Sequence, residues 1–77
     1  NVFPNPTRGK VFIGFSDQIN RKIEVRVTNT LGETLSIFNY EYLNTVVELD
    51  LDDLSRGVYY ITIISNDESV GFPVILE

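Results

Sequence analysis

Leu54-Ser55-Arg56-Gly57-Val58-Tyr59-Tyr60-Ile61-Thr62-Ile63 reads as a tight turn feeding a long strand. From Val58 to Ile64 every side chain is apolar, aromatic or β-branched, the kind that fits a pleated, half-buried surface. Alternation along a strand puts Tyr59, Ile61 and Ile63 on one face and Val58, Tyr60, Thr62 and Ile64 on the other. Both faces are apolar, which predicts a central strand. Gly57 stands where the chain swings from the turn into the strand. Glycine enters left-handed or mirror-β conformations there without a Cβ clash.

The flanking segments repeat the pattern of short strand and turn. Downstream, Ser65-Asn66-Asp67-Glu68 is a polar hairpin turn. Val70 to Leu76 follows as the last strand, with Val70, Phe72, Val74 and Leu76 on one face. Pro73 has no N–H to give a ladder, so this strand lies at an edge or carries a bulge. Upstream, Asp52-Asp53-Leu54-Ser55 suggests one helical turn capped by an Asp carboxylate. Thr45 to Leu51 alternates, with Val47, Leu49 and Leu51 inward. Asn39 to Asn44 is irregular, and Tyr40 and Tyr42 are expected to cover the outer edge of the core. Ile23 to Thr28 alternates strictly between apolar and polar residues, the mark of a strand with one solvated face. Asn29-Thr30-Leu31-Gly32 is a turn in which Gly32 suits the φ > 0 position of type II. Glu33 to Phe38 returns as its hairpin partner, burying Leu35 and Ile37.

Ser16 to Lys22 reads as a loop, and Lys10 to Phe15 as a strand with Val11, Ile13 and Phe15 on one face. At the start, Pro4 and Pro6 keep Phe3 and Asn5 out of the α region. Pro6-Thr7-Arg8-Gly9 is expected to turn, and Val2-Phe3 to form a short edge strand. About seven short antiparallel strands at roughly 8–12-residue spacing make an all-β sandwich, taken here as a single unit over residues 1–77.

Composition narrows the function. A chain of 77 residues buries only about 60% of its unfolded surface, and without cysteine no disulfide reinforces it. Its 43% hydrophobic content is enough for one core. The net charge is 6 − 11 = −5. An acidic domain is a poor partner for nucleic acid and for anionic membrane surfaces, and no apolar run reaches the ~18 residues of a spanning helix. The chain opens at Asn1 rather than Met, and no basic segment precedes an apolar one, so no signal peptide is expected within it. The expectation is a piece cut from a longer protein, or a processed product.

The residues for catalysis are missing. No His supplies a general base and no Cys a thiolate. No Gly-rich phosphate loop follows a strand. Asp50, Asp52 and Asp53 form the densest carboxylate group, but a Ca²⁺ loop needs a Gly at position 6 and a Glu at position 12 that are absent. We therefore expect no enzyme, no cofactor and no metal. Phe12, Phe38, Tyr40, Tyr42 and Tyr60 exceed what one small core face needs; as a surface row they would suit a sugar ring or a protein, as cover they would close the second sheet.

Three blocks, in order, then suggest a family: Phe3-Pro4-Asn5-Pro6-Thr7-Arg8-Gly9-Lys10-Val11, Leu31-Gly32-Glu33, and Asp53-Leu54-Ser55-Arg56-Gly57-Val58-Tyr59-Tyr60-Ile61. They resemble the type A C-terminal sorting domain of the Bacteroidetes type IX secretion system, with its P-N-P-x-x-G turn, central glycine hairpin and L-x-x-G-x-Y strand. The matching positions are Pro4, Asn5, Pro6, Gly9, Gly32, Leu54, Gly57 and Tyr59. The resemblance implies an immunoglobulin-like β-sandwich that closes a larger secreted protein. It implies recognition by the outer-membrane secretion machinery, cleavage by a sortase-like peptidase and attachment of the cargo at the cell surface. Given that role, a last strand interrupted by Gly71 and Pro73 is expected to leave backbone groups unpaired at a sheet edge, a template for pairing, which makes Phe72, Pro73, Val74, Ile75, Leu76 and Glu77 the candidate recognition strand. The family usually places lysines in this strand; here no Lys or Arg follows Arg56. The competing expectation is an accessory sandwich of a secreted hydrolase or adhesin, acting as a spacer or sugar binder.

Overall fold

The computed structural model describes residues 2–15, 22–41 and 46–77. Among these lie seven β-strands and no helix: β1 (Val2–Phe3), β2 (Lys10–Gly14), β3 (Ile23–Asn29), β4 (Thr34–Tyr40), β5 (Val46–Asp50), β6 (Gly57–Ser65) and β7 (Glu68–Leu76). Ser16 to Arg21 of the loop expected at Ser16 to Lys22, the aromatic Tyr42 and the strand start at Thr45 lie outside the described residues. Every ladder between the strands is antiparallel. One sheet runs β1-β2-β5 and the other β4-β3-β6-β7.

The two sheets bury one face each against the other. Val11, Ile13, Val47 and Leu49 come from the smaller sheet, and Ile23, Val25, Val27, Tyr59, Ile61, Ile63, Val74 and Leu76 from the larger; Leu51 closes one end. A fully buried aliphatic side chain stabilises by about 1.5–3 kcal/mol relative to exposure, so this cluster is the main source of stability. β6 is central in its sheet, as its apolar sequence predicted, between β3 and β7. Only its Tyr59-Ile61-Ile63 face is fully inward; Val58 and Tyr60 are exposed on the outside.

β4 corrects the sequence reading. Leu35 and Ile37 were expected inside, but they are 41% and 50% exposed. Directly opposed residues share a face, and core-facing Val27, Val25 and Ile23 pair with Ser36, Phe38 and Tyr40. A shift between Val27 and Thr28 makes Thr28 pair with Thr34, which leaves Leu35 as an extra residue in a bulge. Phe38 and Tyr40 therefore pack against the core and the two aliphatic residues face water. The segment 51–54 also differs. It is a β-turn in which the Leu54 N–H donates to the Leu51 carbonyl at 3.0 Å, and Asp50, not Asp52 or Asp53, supplies the capping carboxylate, accepting from the Asp52 N–H at 2.9 Å.

Candidate functional site

The proline-rich start forms a strap along the outer edge of β7. Pro4 and Pro6 have no N–H, so this segment cannot pair through successive backbone amides. Both are preceded by cis peptide bonds. The Asn5 side chain takes the place of a peptide group. Its Nδ2 donates to the Pro73 carbonyl at 3.0 Å, and its Oδ1 accepts from the Ile75 N–H at 2.9 Å. Thr7 continues with its backbone: its N–H donates to the Ile75 carbonyl and its carbonyl accepts from the Glu77 N–H, each at 2.8 Å. The result is a short parallel bridge at Leu76.

Among the described residues Thr7 is also the buried polar side chain, at 3% exposure. Its Oγ1 donates to the Lys10 carbonyl and accepts from the Gly9 N–H at 3.2 Å. The Gly9 carbonyl then accepts from the Leu51 N–H at 2.8 Å. A Cβ on Gly9 would sit 3.1 Å from Asp52 Oδ1, so the absence of a side chain lets the strap run close to the 51–54 turn. In six residues the strap thus ties the edge of the larger sheet to the end of the smaller one. Thr7 was not singled out from the sequence. The signal was a hydroxyl residue two positions before a glycine, where local side chain-to-backbone bonds compete with regular structure.

The second motif block builds the corner next to it. Leu54 is half-buried against the core, Gly57 has φ +156° as β6 begins, and the Tyr59 hydroxyl donates to the Ser55 carbonyl four residues upstream. This is the tyrosine corner of immunoglobulin-like sandwiches, which fixes the crossing from one sheet to the other. Arg56 reaches from the corner to the strap, with Nη1 3.4 Å from the Arg8 carbonyl.

The third block is the β3–β4 hairpin. Gly32 has a positive φ, +84°, but its place differs from that predicted. The Gly32 N–H closes the turn on the Asn29 carbonyl at 3.1 Å, so it is the fourth residue of the turn rather than the third. A three-residue loop with a left-handed glycine next to the returning strand is the outcome. Asn29 Oδ1 accepts from the Leu31 and Glu33 N–H groups at 2.9 and 3.0 Å.

Register brings the three blocks to one end of the sandwich. Asn29 pairs with Tyr59, Gly57 with Leu76, and Leu76 with Thr7. Of the candidate recognition strand, Val74 and Leu76 point into the core and Phe72 is half-buried beside them, while Pro73, Ile75 and Glu77 point outward. Pro73 and Ile75 stand opposite Tyr60 and Val58, which makes an exposed apolar surface over β6 and β7 at the same end. The expected unpaired backbone is not there: at Pro73, Ile75 and Glu77 the outward groups named above are held by the strap. Among the described residues, the β7 edge is left open at Ser69 and Gly71, its remaining outward-facing residues.

Other candidates are placed apart. Phe12 stacks on Phe3 on the outer side of the smaller sheet, with ring centroids 5.7 Å apart, and Phe38 and Tyr40 face the core, so the aromatics form no single exposed row. Burial pushes the Tyr40 phenol above the ordinary tyrosine range. Among the described residues no three acidic side chains converge as metal ligands.

Compared with known proteins, the whole chain, residues 1–77, matches the family model described as a secretion system C-terminal sorting domain. No curated protein matches it.

Proposed function

The chain belongs to the secretion system C-terminal sorting domain family, and from that membership we propose that the strap-bound end of β7 is the surface by which it is read. The domain is a sorting signal for type IX secretion, recognised by that machinery and directing export across the outer membrane to the cell surface or the extracellular space. We assign the recognition surface to the outward side chains of Pro73, Ile75 and Glu77, with Tyr60 and Val58 beside them. Phe72, Val74 and Leu76 anchor it from beneath.

One observation carries this reading. All three motif blocks converge on a single end of the sandwich, and each fixes backbone there rather than presenting reactive groups. Asn5 and Thr7 hold β7, Gly9 holds the strap to the 51–54 turn, and Tyr59 holds the corner. A signal read as a folded shape needs such a surface to be rigid before it meets its receptor, because ordering side chains and loops on binding costs affinity. The domain therefore acts without catalysis of its own. After export, a sortase-like peptidase removes it and the cargo is attached at the cell surface.

The test is a fusion of residues 1–77 to the end of a periplasmic reporter in a host with the type IX system. The intact fusion is exported. Removal of Phe72 to Glu77 leaves the reporter in the periplasm, but it also strips Val74 and Leu76 from the core. Ile75→Asp is the companion variant, because that side chain faces water and the core stays whole. Retention of a folded Ile75→Asp fusion supports the assignment. Its export at the level of the intact fusion, with both folded by circular dichroism, returns the accessory-module reading.

A further inference from the structure

A sheet edge is a template for pairing, and most edges of this sandwich are blunted in recognisable ways. β1 is two residues long and runs into Pro4. β5 carries Glu48 and Asp50. β7 holds Pro73 and is covered by the strap from Pro73 to Glu77. β4 has none of these devices over Ser36 to Tyr40: it carries no charge and no proline, and among the described residues nothing covers it. Its bulge lies before Ser36.

The backbone of β4 is turned outward at defined positions. The Asn29 N–H donates to the Glu33 carbonyl at 3.0 Å, so β3 directs the groups of Asn29, Val27, Val25 and Ile23 towards β4. Ser36, Phe38 and Tyr40 answer them, which leaves the N–H and C=O of Ile37 and Asn39 facing away from the sheet. Ile37 adds an exposed aliphatic side chain, as does Leu35 before it. Exposed Glu33 and Glu41 stand at either end of this neutral stretch, on a chain of net charge −5; Glu33 Oε1 accepts from Asn29 Nδ2 at 2.9 Å, which holds the carboxylate in place and leaves its charge uncancelled.

We propose that β4 is a docking edge for an extended strand of another protein, apolar in its middle and carrying a Lys or Arg at each end. Main-chain bonds to Ile37 and Asn39 provide the pairing, and the two glutamates set register and select basic ends, as in strand addition to other exposed edges. The opposite edge of the same sheet cannot serve in this way, because the strap occupies it. The inference does not depend on the reading of β7: it concerns a different edge and is tested by binding rather than by export.

The experiment is an amide NMR titration of the isolated domain with the probe peptide Lys-Thr-Val-Val-Val-Thr-Lys and its counterpart with Glu in place of both Lys. The basic probe should shift and protect the amides of Ile37 and Asn39, more weakly as salt is raised. The Glu probe should bind at least about tenfold less tightly. Ile37→Pro removes an outward donor without breaking a β3–β4 bond, so it should lower affinity by about tenfold or more while the unfolding midpoint stays near the parent's. If Ile37→Pro does not fold, Asn39→Pro makes the same test, since its N–H also faces outward. The proposal is overturned if neither probe binds at millimolar concentration, if both bind alike, if the shifts fall on β5 or β7, or if the domain self-associates through β4 in place of binding the probe.

Discussion

Asn5→Asp changes one atom of the strap and reverses one of its two contacts. In the native chain the carboxamide donates to the Pro73 carbonyl at 3.0 Å and accepts from the Ile75 N–H at 2.9 Å. A carboxylate keeps the second contact and brings a charged acceptor against the Pro73 carbonyl in place of a donor. One hydrogen bond contributes about 1 kcal/mol net, and the repulsion adds to its loss; the site is exposed, so water relieves part of both. The expected cost at pH 7 is about 1–2 kcal/mol, a sizeable part of the roughly 4–11 kcal/mol that holds a domain of this size. The melting temperature should fall by about 4–8 °C per kcal/mol. The pH dependence is diagnostic. The folded state disfavours the ionised form, so the introduced carboxyl has its folded pKa raised above the ordinary value of about 3.9. Its stabilising, protonated form is fully present below that ordinary value and is lost as pH rises through the raised one. Protonated, it again donates to the Pro73 carbonyl. Urea denaturation from pH 3 to 7 should therefore show the variant close to the parent in acid and well below it at neutrality. Asn5→Ala should show a loss that does not vary with pH. If Asn5→Asp matches the parent at pH 7, or loses as much at pH 3 as at pH 7, the side chain does not act as a substitute peptide group at this edge.

Other substitutions separate the remaining parts of the account. Tyr59→Phe removes the corner hydroxyl and should cost about 0.5–1.5 kcal/mol in chemical denaturation, leaving Ser55 without that donor. Gly57→Val meets no atom within 4 Å of its Cβ but must hold φ +156°, so its cost, about 1–3 kcal/mol, is backbone strain alone; an unchanged urea midpoint removes that argument. Phe38→Ala should destabilise by about 2 kcal/mol or more, whereas Ile37→Thr should stay within about 0.5 kcal/mol. The reverse order would restore the face of β4 that its sequence suggested.

How much of this was legible follows from the range of each interaction. β6 was readable because both faces of Val58 to Ile64 are apolar, and β7 because Pro73 disfavours an interior position. The turn into β6 was readable from Gly57 ahead of an apolar run, but the corner was not: Asp52 to Ser55 suggested a helical turn, and nothing in the sequence ties the Tyr59 hydroxyl to the Ser55 carbonyl. β4 was not, since Thr34 to Tyr40 offers two alternations of similar apolarity, and the bulge and the pairing to Val25 and Val27 choose between them. The strap was the least legible. Asn5 meets partners 68 and 70 positions away, and two prolines beside an asparagine show only an extended segment, not which edge it covers.

Site-specific photo-crosslinking during export tests most directly whether the strap-bound end of β7 is what the machinery reads. A photo-reactive residue replaces Ile75 at that end in one fusion, and Val46 at the far end of the other sheet in a second. The two positions are similarly exposed, 45% and 48%, so accessibility does not favour either. The account predicts covalent adducts with an outer-membrane component of the secretion system from position 75 and none from position 46. Adducts of equal yield from both positions, or from position 46 alone, would contradict it.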